Sequence, residues 1–572
     1  MSDLPGHPRD RLPPAAWLKG YRAEWLSPDV VAGLTAAAVV IPKAMAYATV
    51  AGLPVQVGLY TAFLPMLVYA VLGTSRVLSV STTTTLAILA GADLVQATSA
   101  GDTAVLLRAS ATLTLLVGAI LVAAWILRLG FVANFISEPV LVGFKAGIGV
   151  VIVCDQIPKL LGFHVAGSTF LRKLVATVEQ MPQTSLPTLA VGIAMLAILI
   201  GFERWLPRVP APLVAVALGI GGVRLLDLKA RGIELVGHIP TGLPPLTMPD
   251  LSLASVLWSG AIGIALMSFT ETVAAGRAFT RSDEPPPRAN RELLATGLGN
   301  GIGALLGAMP SGGGTSQTAV NRHAGARTQL AEIVTAAVTL ATMFFLAPLI
   351  GLMPQATLAA VVVVYSIGLI KPAEFRSILR IRRTEFVWAL AAFAGVMLFG
   401  TLRGIVVAII LSLVALAHQV ADPPVHVLGR KPGTNAFRPR SKEHPEDETF
   451  PGLLLLRVEG RIFFANAERI GQKAQSFIAE TTPRVVALDL SAVFDLEYTA
   501  LKMLTEGEKR NRDRGIQLWL VGLNPDVLAM VQRSPLGQTL GRDRMFFNLE
   551  MAVARYQRNE SASPRPEPPK PA

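Results

Sequence analysis

Two ionisable side chains stand where an apolar environment would exclude them. Lys43 is the one charge between Asp29 and Arg76, and Glu271 the one charge between Asp250 and Arg277, in stretches that are otherwise mostly apolar. A charge at the centre of a membrane-spanning helix costs about 2.5–3.5 kcal/mol on insertion scales, so it must face protein or a wet cavity and have a partner. For Lys43 the bland alternative is snorkelling to the interface, a long reach from a central position. For Glu271 it is a structural, hydrogen-bonded carboxyl. Read as chemistry, a lysine near a titratable carboxylate couples a proton to an anion: protonating Glu271 leaves the charge of Lys43 for an anion to neutralise. The expectation is that the two residues approach each other.

Two polar, small-residue stretches lie at corresponding depths of the two halves of the chain: SVSTTTTLAIL (Ser79 to Leu89) and PSGGGTSQTAVN (Pro310 to Asn321). Paired interruptions of this kind mark the midplane site of transporters built from broken helices. Half-helices starting there would present free N–H groups and a partial positive charge, which suits an anion. Thr82, Thr83, Thr315 and Ser316 can add hydroxyl donors, and Gly312, Gly313 and Gly314 allow close backbone approach. A glycine run taken singly more often marks a helix-packing face. No cation cage, metal-ligand spacing or enzyme motif is visible, and GGGTS lacks the lysine of a phosphate-binding loop, so no cofactor and no catalytic activity are expected.

The elements that position these residues are membrane helices. The 572-residue chain is 52% hydrophobic and 16% charged, against about 25% charged in soluble domains. Its charge-poor windows are long enough for spans of about 20 residues. Apolar runs and turn signals predict seven spans between about Asp29 and Leu226 and seven more between about Leu251 and His418. An odd count per half puts the second half in the opposite orientation, an inverted repeat.

The net charge of +12 is spread over short loops, Arg277 to Arg291 and Lys371 to Arg383 among them, which places those loops in the cytoplasm rather than on nucleic acid. With the N-terminus cytoplasmic, both loops fall inside, and the C-terminus is cytoplasmic too. The lone cysteine, Cys154, excludes an intrachain disulfide, and no cleavable signal peptide is expected. The predicted organisation is an N-terminal cytoplasmic segment (1–28), a transport domain in the cell (inner) membrane (29–420), a linker (421–450), a soluble α/β domain (451–557) and a Pro-rich disordered tail (558–572). The soluble α/β domain is expected from apolar strand-length runs at Leu453 to Gly460, Arg484 to Ser491 and Ile516 to Leu523 alternating with polar helical stretches.

These residues resemble the SulP family of anion permeases, and the resemblance runs from the first span through the soluble domain. It is carried by IPKAMAYATVAGLP (Ile41 to Pro54), GLYTAFLP (Gly58 to Pro65), GTSR (Gly73 to Arg76), NRELLATGLGN (Asn290 to Asn300) and GGTSQTAVN (Gly313 to Asn321). The soluble portion, with EGRIFFANAERI (Glu459 to Ile470) and LDLSAVFDLEYTALKML (Leu488 to Leu504), is similar to a STAS domain. The resemblance implies core and gate domains in a seven-plus-seven inverted repeat, elevator-like movement, and a homodimer in the lipid bilayer. It implies an anion held by Lys43, Tyr47, Thr83, Thr315, Ser316 and Gln317, with Glu271 at the position associated with coupling to H+ or Na+. It also places Thr499 where related soluble antagonists carry a phosphorylated serine; the bland alternative is a helix cap.

Three departures stand out. Lys43 occupies a position where many members have Gln, the third span reads Ser-Thr-Thr where many have Gly-Pro, and Gln317 occupies one where others have Arg. The positive charge has moved from the tenth span to the first. The expected function is anion symport, with sulfate, bicarbonate and a dicarboxylate as substrates and H+ favoured over Na+; an uncoupled channel and a non-transporting anion sensor are the alternatives.

Overall fold

The computed structural model describes residues 15–562 except 98–101, 135–136, 164, 166–169, 207–208 and parts of 400–419. The chain divides into two compact units, Met1–Leu413 and Val414–Ala572.

In the first unit the expected spans appear in order. The first half contains α1 (Leu26–Val50), α2 and α3 in one span (Val55–Thr61, Leu64–Leu72), α4 (Thr84–Ala97), α5 (Thr103–Ile126) and α6 (Glu138–Leu161). After a short amphipathic α7 (Phe170–Glu179) come α8 (Leu186–Trp205) and α9 (Ala211–Leu225). The second half contains α10 (Ala254–Ala278), α11 (Ala289–Leu305), α12 (Thr315–His323), α13 (Leu330–Ala341) running through a π-turn into α14 (Ala347–Ile350), and α15 (Gln355–Ile367). A short α16 (Pro372–Ile381) then precedes α17 (Arg383–Phe399). The fourteenth expected span falls largely outside the described residues. Helices α7 and α16 fill the same place in each half, between the fifth and sixth spans and between their counterparts, as an internal repeat requires.

Helices α4 and α12 are the short members. At 1.5 Å per residue, 14 and 9 residues cover about 21 and 14 Å, against a hydrocarbon thickness of about 30 Å. Extended chain makes up the difference, and its backbone groups must find partners inside the protein. They find each other: β1 (Val80–Ser81) pairs antiparallel with β2 (Gly312–Gly313), Val80 opposite Gly313 and Ser81 opposite Gly312. Both interrupted stretches therefore meet at one point, and α4 and α12 leave it in opposite directions.

The GTSR and NRELLATGLGN segments lock this region from behind. Glu292 on α11 accepts hydrogen bonds from the Tyr69 hydroxyl (2.6 Å), the Thr74 backbone N–H (3.0 Å) and the Thr74 hydroxyl. Asn300 on the same helix brackets Ser311, accepting from its N–H (2.8 Å) and donating to its carbonyl (3.0 Å).

The second unit is a six-stranded sheet in the order β4-β3-β5-β6-β7-β8. Strands β5 (Leu453–Val458), β6 (Val485–Asp489), β7 (Gln517–Val521) and β8 (Met545–Phe546) run parallel. Their runs are apolar on both faces because both are covered: Leu454 and Leu456 enter one core, Leu453 and Leu455 the other. Helices α18 (Ala467–Thr481), α19 (Tyr498–Asp513), α20 (Pro525–Gln532), α21 (Pro535–Leu540) and α22 (Leu549–Ala562) complete the unit. Two boundaries differ from expectation. The stretch read as a linker supplies β3 (Val425–Arg430), antiparallel to β5, and β4 (Phe437–Pro439); prolines and charges around a six-residue strand disguised it. The C-terminal helix continues to Ala562, and the rest of the expected tail lies outside the described residues.

Candidate anion-binding site

Helix α1 carries Lys43 into the protein interior, where it is 2% exposed. Its ammonium donates to the Ser316 hydroxyl at 3.2 Å and lies 3.7 Å from the centroid of the Tyr365 ring on α15. A desolvated ammonium over an aromatic face gains about 2 kcal/mol. Ser316 is the second residue of α12, in the turn whose N–H groups have no intrahelical acceptor. Thr315 and Ser316 are exposed within the structure, so the helix start faces accessible space, with the buried tip of Lys43 against it. Tyr47 follows Lys43 by four residues, on the same face of α1, and is buried.

Glu271, 7% exposed on α10, meets the other broken helix. The Thr83 hydroxyl donates to its carboxylate at 2.8 Å, while the Leu86 N–H reaches the Thr83 oxygen at 3.3 Å. Residue 83 thus caps α4 and holds the acid in one contact.

Two expectations from sequence are revised by this geometry. Lys43 and Glu271 form no ion pair among the described residues; the carboxylate whose field acts on Lys43 is Glu203 of α8. Each charge instead lies against the start of a different half-helix, Lys43 at α12 and Glu271 at α4. Gln317, the residue after Ser316, turns away: it accepts from the Ser81 hydroxyl (2.8 Å) and donates to the Thr82 carbonyl (3.3 Å). Its amide ties α12 to β1 and is committed to the protein.

The triple glycine has a reason other than approach to a ligand. A Cβ on Gly313 would sit 2.7 Å from the Thr272 Cα, and one on Gly312 would sit 2.9 Å from the Ser268 hydroxyl, both on α10. The Gly313 N–H donates to the Thr272 hydroxyl at 2.9 Å. Glycine lets β2 lie directly on α10, beside Glu271. The Gly314 N–H donates to the Ser79 carbonyl (3.0 Å) and the Ser79 N–H to the Thr318 hydroxyl (3.1 Å), which completes the seam between the halves.

Tyr365 and Glu203 escaped the sequence reading. A tyrosine ending the run AAVVVVYS carries no polar pattern, and Glu203 lies near a helix end, where charges are ordinary. Thr499 is exposed at the second position of α19, where Glu497 occupies the cap position without a side-chain capping bond, so Thr499 is not itself the cap.

Residues 26–392 match the model of the sulfate permease family, and residues 444–552 match the STAS domain. A probable sulfate transporter of Mycobacterium tuberculosis is 35% identical over 554 residues, covering 95% of this chain and 99% of that protein. Sulfate transporter 3.1 of Arabidopsis thaliana is 30% identical, covering 95% and 86%. The murine Solute Carrier 26 family member A9 anion transporter, solved in its inward-facing state, shares the fold with a TM-score of 0.87 at 22% identity, over 95% of this chain and 93% of that one. The transmembrane domain of a cyanobacterial bicarbonate transporter superposes with a TM-score of 0.58 at 24% identity, over 68% and 98%. With its two polar helix breaks joined at one seam and its repeated order of membrane helices followed by a STAS domain, this chain belongs to the sulfate permease family of membrane anion transporters.

Proposed function

We propose that the chain takes up a small oxyanion, sulfate first, by H+-coupled symport across the cell inner membrane, as a homodimer with both termini cytoplasmic. The observation that carries this reading is the position of Lys43, its ammonium buried against Ser316 at the start of α12. The anion docks on the α12 N-terminus, within reach of the Thr315 and Ser316 hydroxyls, with Lys43 supplying the charge and Tyr47 lining the α1 side. Gln317 acts by positioning α12. Glu271 takes up the proton: ionised, it accepts from Thr83; protonated, it removes one negative charge from the region the anion enters. The sulfate transporters among the relatives support the substrate. Arginine-rich loops at Arg277 to Arg291 and Lys371 to Arg383 support the orientation. An elevator-like movement of the core then carries the seam and its guest together, and Thr499 is a phosphoacceptor that regulates it through the soluble unit.

The test is uptake of sulfate, bicarbonate, succinate, fumarate and chloride into proteoliposomes, with proton and sodium gradients imposed separately. Sulfate accumulation driven by an inward proton gradient is expected, falling about 10- to 100-fold in Lys43→Gln, as the loss of a charged hydrogen bond worth about 1.5–3 kcal/mol implies. Uptake driven by sodium alone, or current that ignores both gradients, would overturn the coupling.

A further inference from the structure

Beyond the midplane site, α1 and α15 line a separate cavity of about 370 Å³, room for roughly a dozen waters at about 30 Å³ each. Its polar lining includes Gln56, Thr103, Gln156, Lys159, His238 and Gln355, with no Asp or Glu among the described lining residues. Lys159 is the charge that sets its sign. Asp155, one turn earlier on α6, is engaged by Lys173, whose ammonium lies 3.1 Å from both carboxylate oxygens. That leaves Lys159 with no hydrogen-bonded or ion-paired carboxylate among the described residues. Gln156 is 3% exposed, and its side-chain oxygen is buried without a hydrogen-bond partner. A buried amide oxygen without a partner costs about 1–3 kcal/mol, which an ordered water donating to it would recover, whereas a bound anion, itself an acceptor, would take the amide N–H groups.

The cavity's position makes it more than a surface hollow. Thr49, at its edge, is six residues beyond Lys43 on α1, and Ala359 is six residues before Tyr365 on α15. Six helical residues rise about 9 Å. The two helices that hold the midplane lysine and its aromatic cover therefore continue into this cavity, toward the end of the membrane domain at which α1 finishes.

We infer that this cavity is a second anion station, at which an oxyanion such as sulfate is held by Lys159, His238 and the glutamine amides before passing to the Lys43 site. The inference rests on the anion reading of the midplane site. In the proposed orientation the station opens to the external face, so it loads the transporter from outside. Local positive charge, with Asp155 held by Lys173 and no carboxylate in the described lining, raises the anion concentration at the mouth of the path.

A cysteine reporter tests it. In a Cys154→Ser background, Thr103→Cys places a thiol on the cavity rim, and its labelling by a neutral maleimide is timed with sulfate or with gluconate at equal ionic strength. Sulfate is expected to slow labelling several-fold in this parent and equally in Lys43→Gln, with the protection lost in Lys159→Gln. Protection that disappears in folded Lys43→Gln, or that survives in Lys159→Gln, overturns the second station. Uptake measured in parallel separates the two readings: transport by the parent without sulfate protection removes the station and leaves the midplane site standing. In the same assay Lys159→Gln is expected to raise the KM for external sulfate about tenfold while the maximal rate is kept. An unchanged KM counts against the station.

Discussion

The Thr83 hydroxyl, in the first half of the chain, donates a 2.8 Å hydrogen bond to the Glu271 carboxylate in the second. The contact crosses the repeat, so the acid's environment is set by the break in the opposite half.

Thr83→Ala is expected to lower sulfate uptake by releasing the acid from α4, and Thr83→Ser, which keeps the donor, restores it. Glu271→Gln removes the proposed proton acceptor and should flatten the pH profile of uptake altogether. Uptake rates between pH 5 and 9 decide it; a Glu271→Gln protein that retains the parent's pH dependence would exclude this residue from coupling.

Gly313→Ala tests the seam. Its added methyl would lie 2.7 Å from the Thr272 Cα, a backbone atom on α10 that cannot move without shifting Glu271. Overpacking of this kind costs about 1–3 kcal/mol, so a lower melting temperature in detergent and loss of uptake are expected. Gly221→Ala on α9 is the matched control: nothing lies within 4 Å of its added methyl, and alanine favours the helix by up to about 1 kcal/mol. Equal melting temperatures for the two variants would refute the packing argument.

In the soluble unit, the Arg438 guanidinium grips Asp447 at 2.8 and 2.9 Å. This hydrogen bond, followed by its charge, holds the Asp447 carboxyl below its ordinary value, against the opposing effect of burial. A folded-state value below the unfolded one, about 3.9, stabilises the fold above that pH, and the stabilisation is lost as pH falls through the folded value. Calorimetry of the intact chain should show the soluble unit's transition falling from about pH 4 downward. Arg438→Leu should lower that transition at neutral pH and weaken its acid dependence; an unchanged neutral transition would remove the pair from the stability of β4.

Much of the candidate site stands out in the sequence. A lysine and a glutamate alone in apolar windows mark themselves by cost, and a run of four threonines or three glycines in a span marks a broken helix. The STAS strands were equally plain where they were long and fully buried. The short strands β3 and β4 were not, because β3 carries only six residues between prolines and charges, and β4 is an edge strand of three. Tyr365 was hidden for a different reason: its role depends on where α15 lies against α1, which no local pattern encodes.

The amino-acid sequence determined the spans, their repeat, the two breaks and the lysine and glutamate that stand alone in apolar windows, since these follow from local hydropathy, helix length and the chemistry of glycine and threonine. The tertiary structure decided the pairings: Lys43 with Ser316 and Tyr365, Glu271 with Thr83, and Gln317 with β1. Hydrogen bonds are short and directional, and these join residues 188 to 273 positions apart. Only the packing of whole helices brings such partners within hydrogen-bond reach, so the choice among several equally suitable partners belongs to the fold.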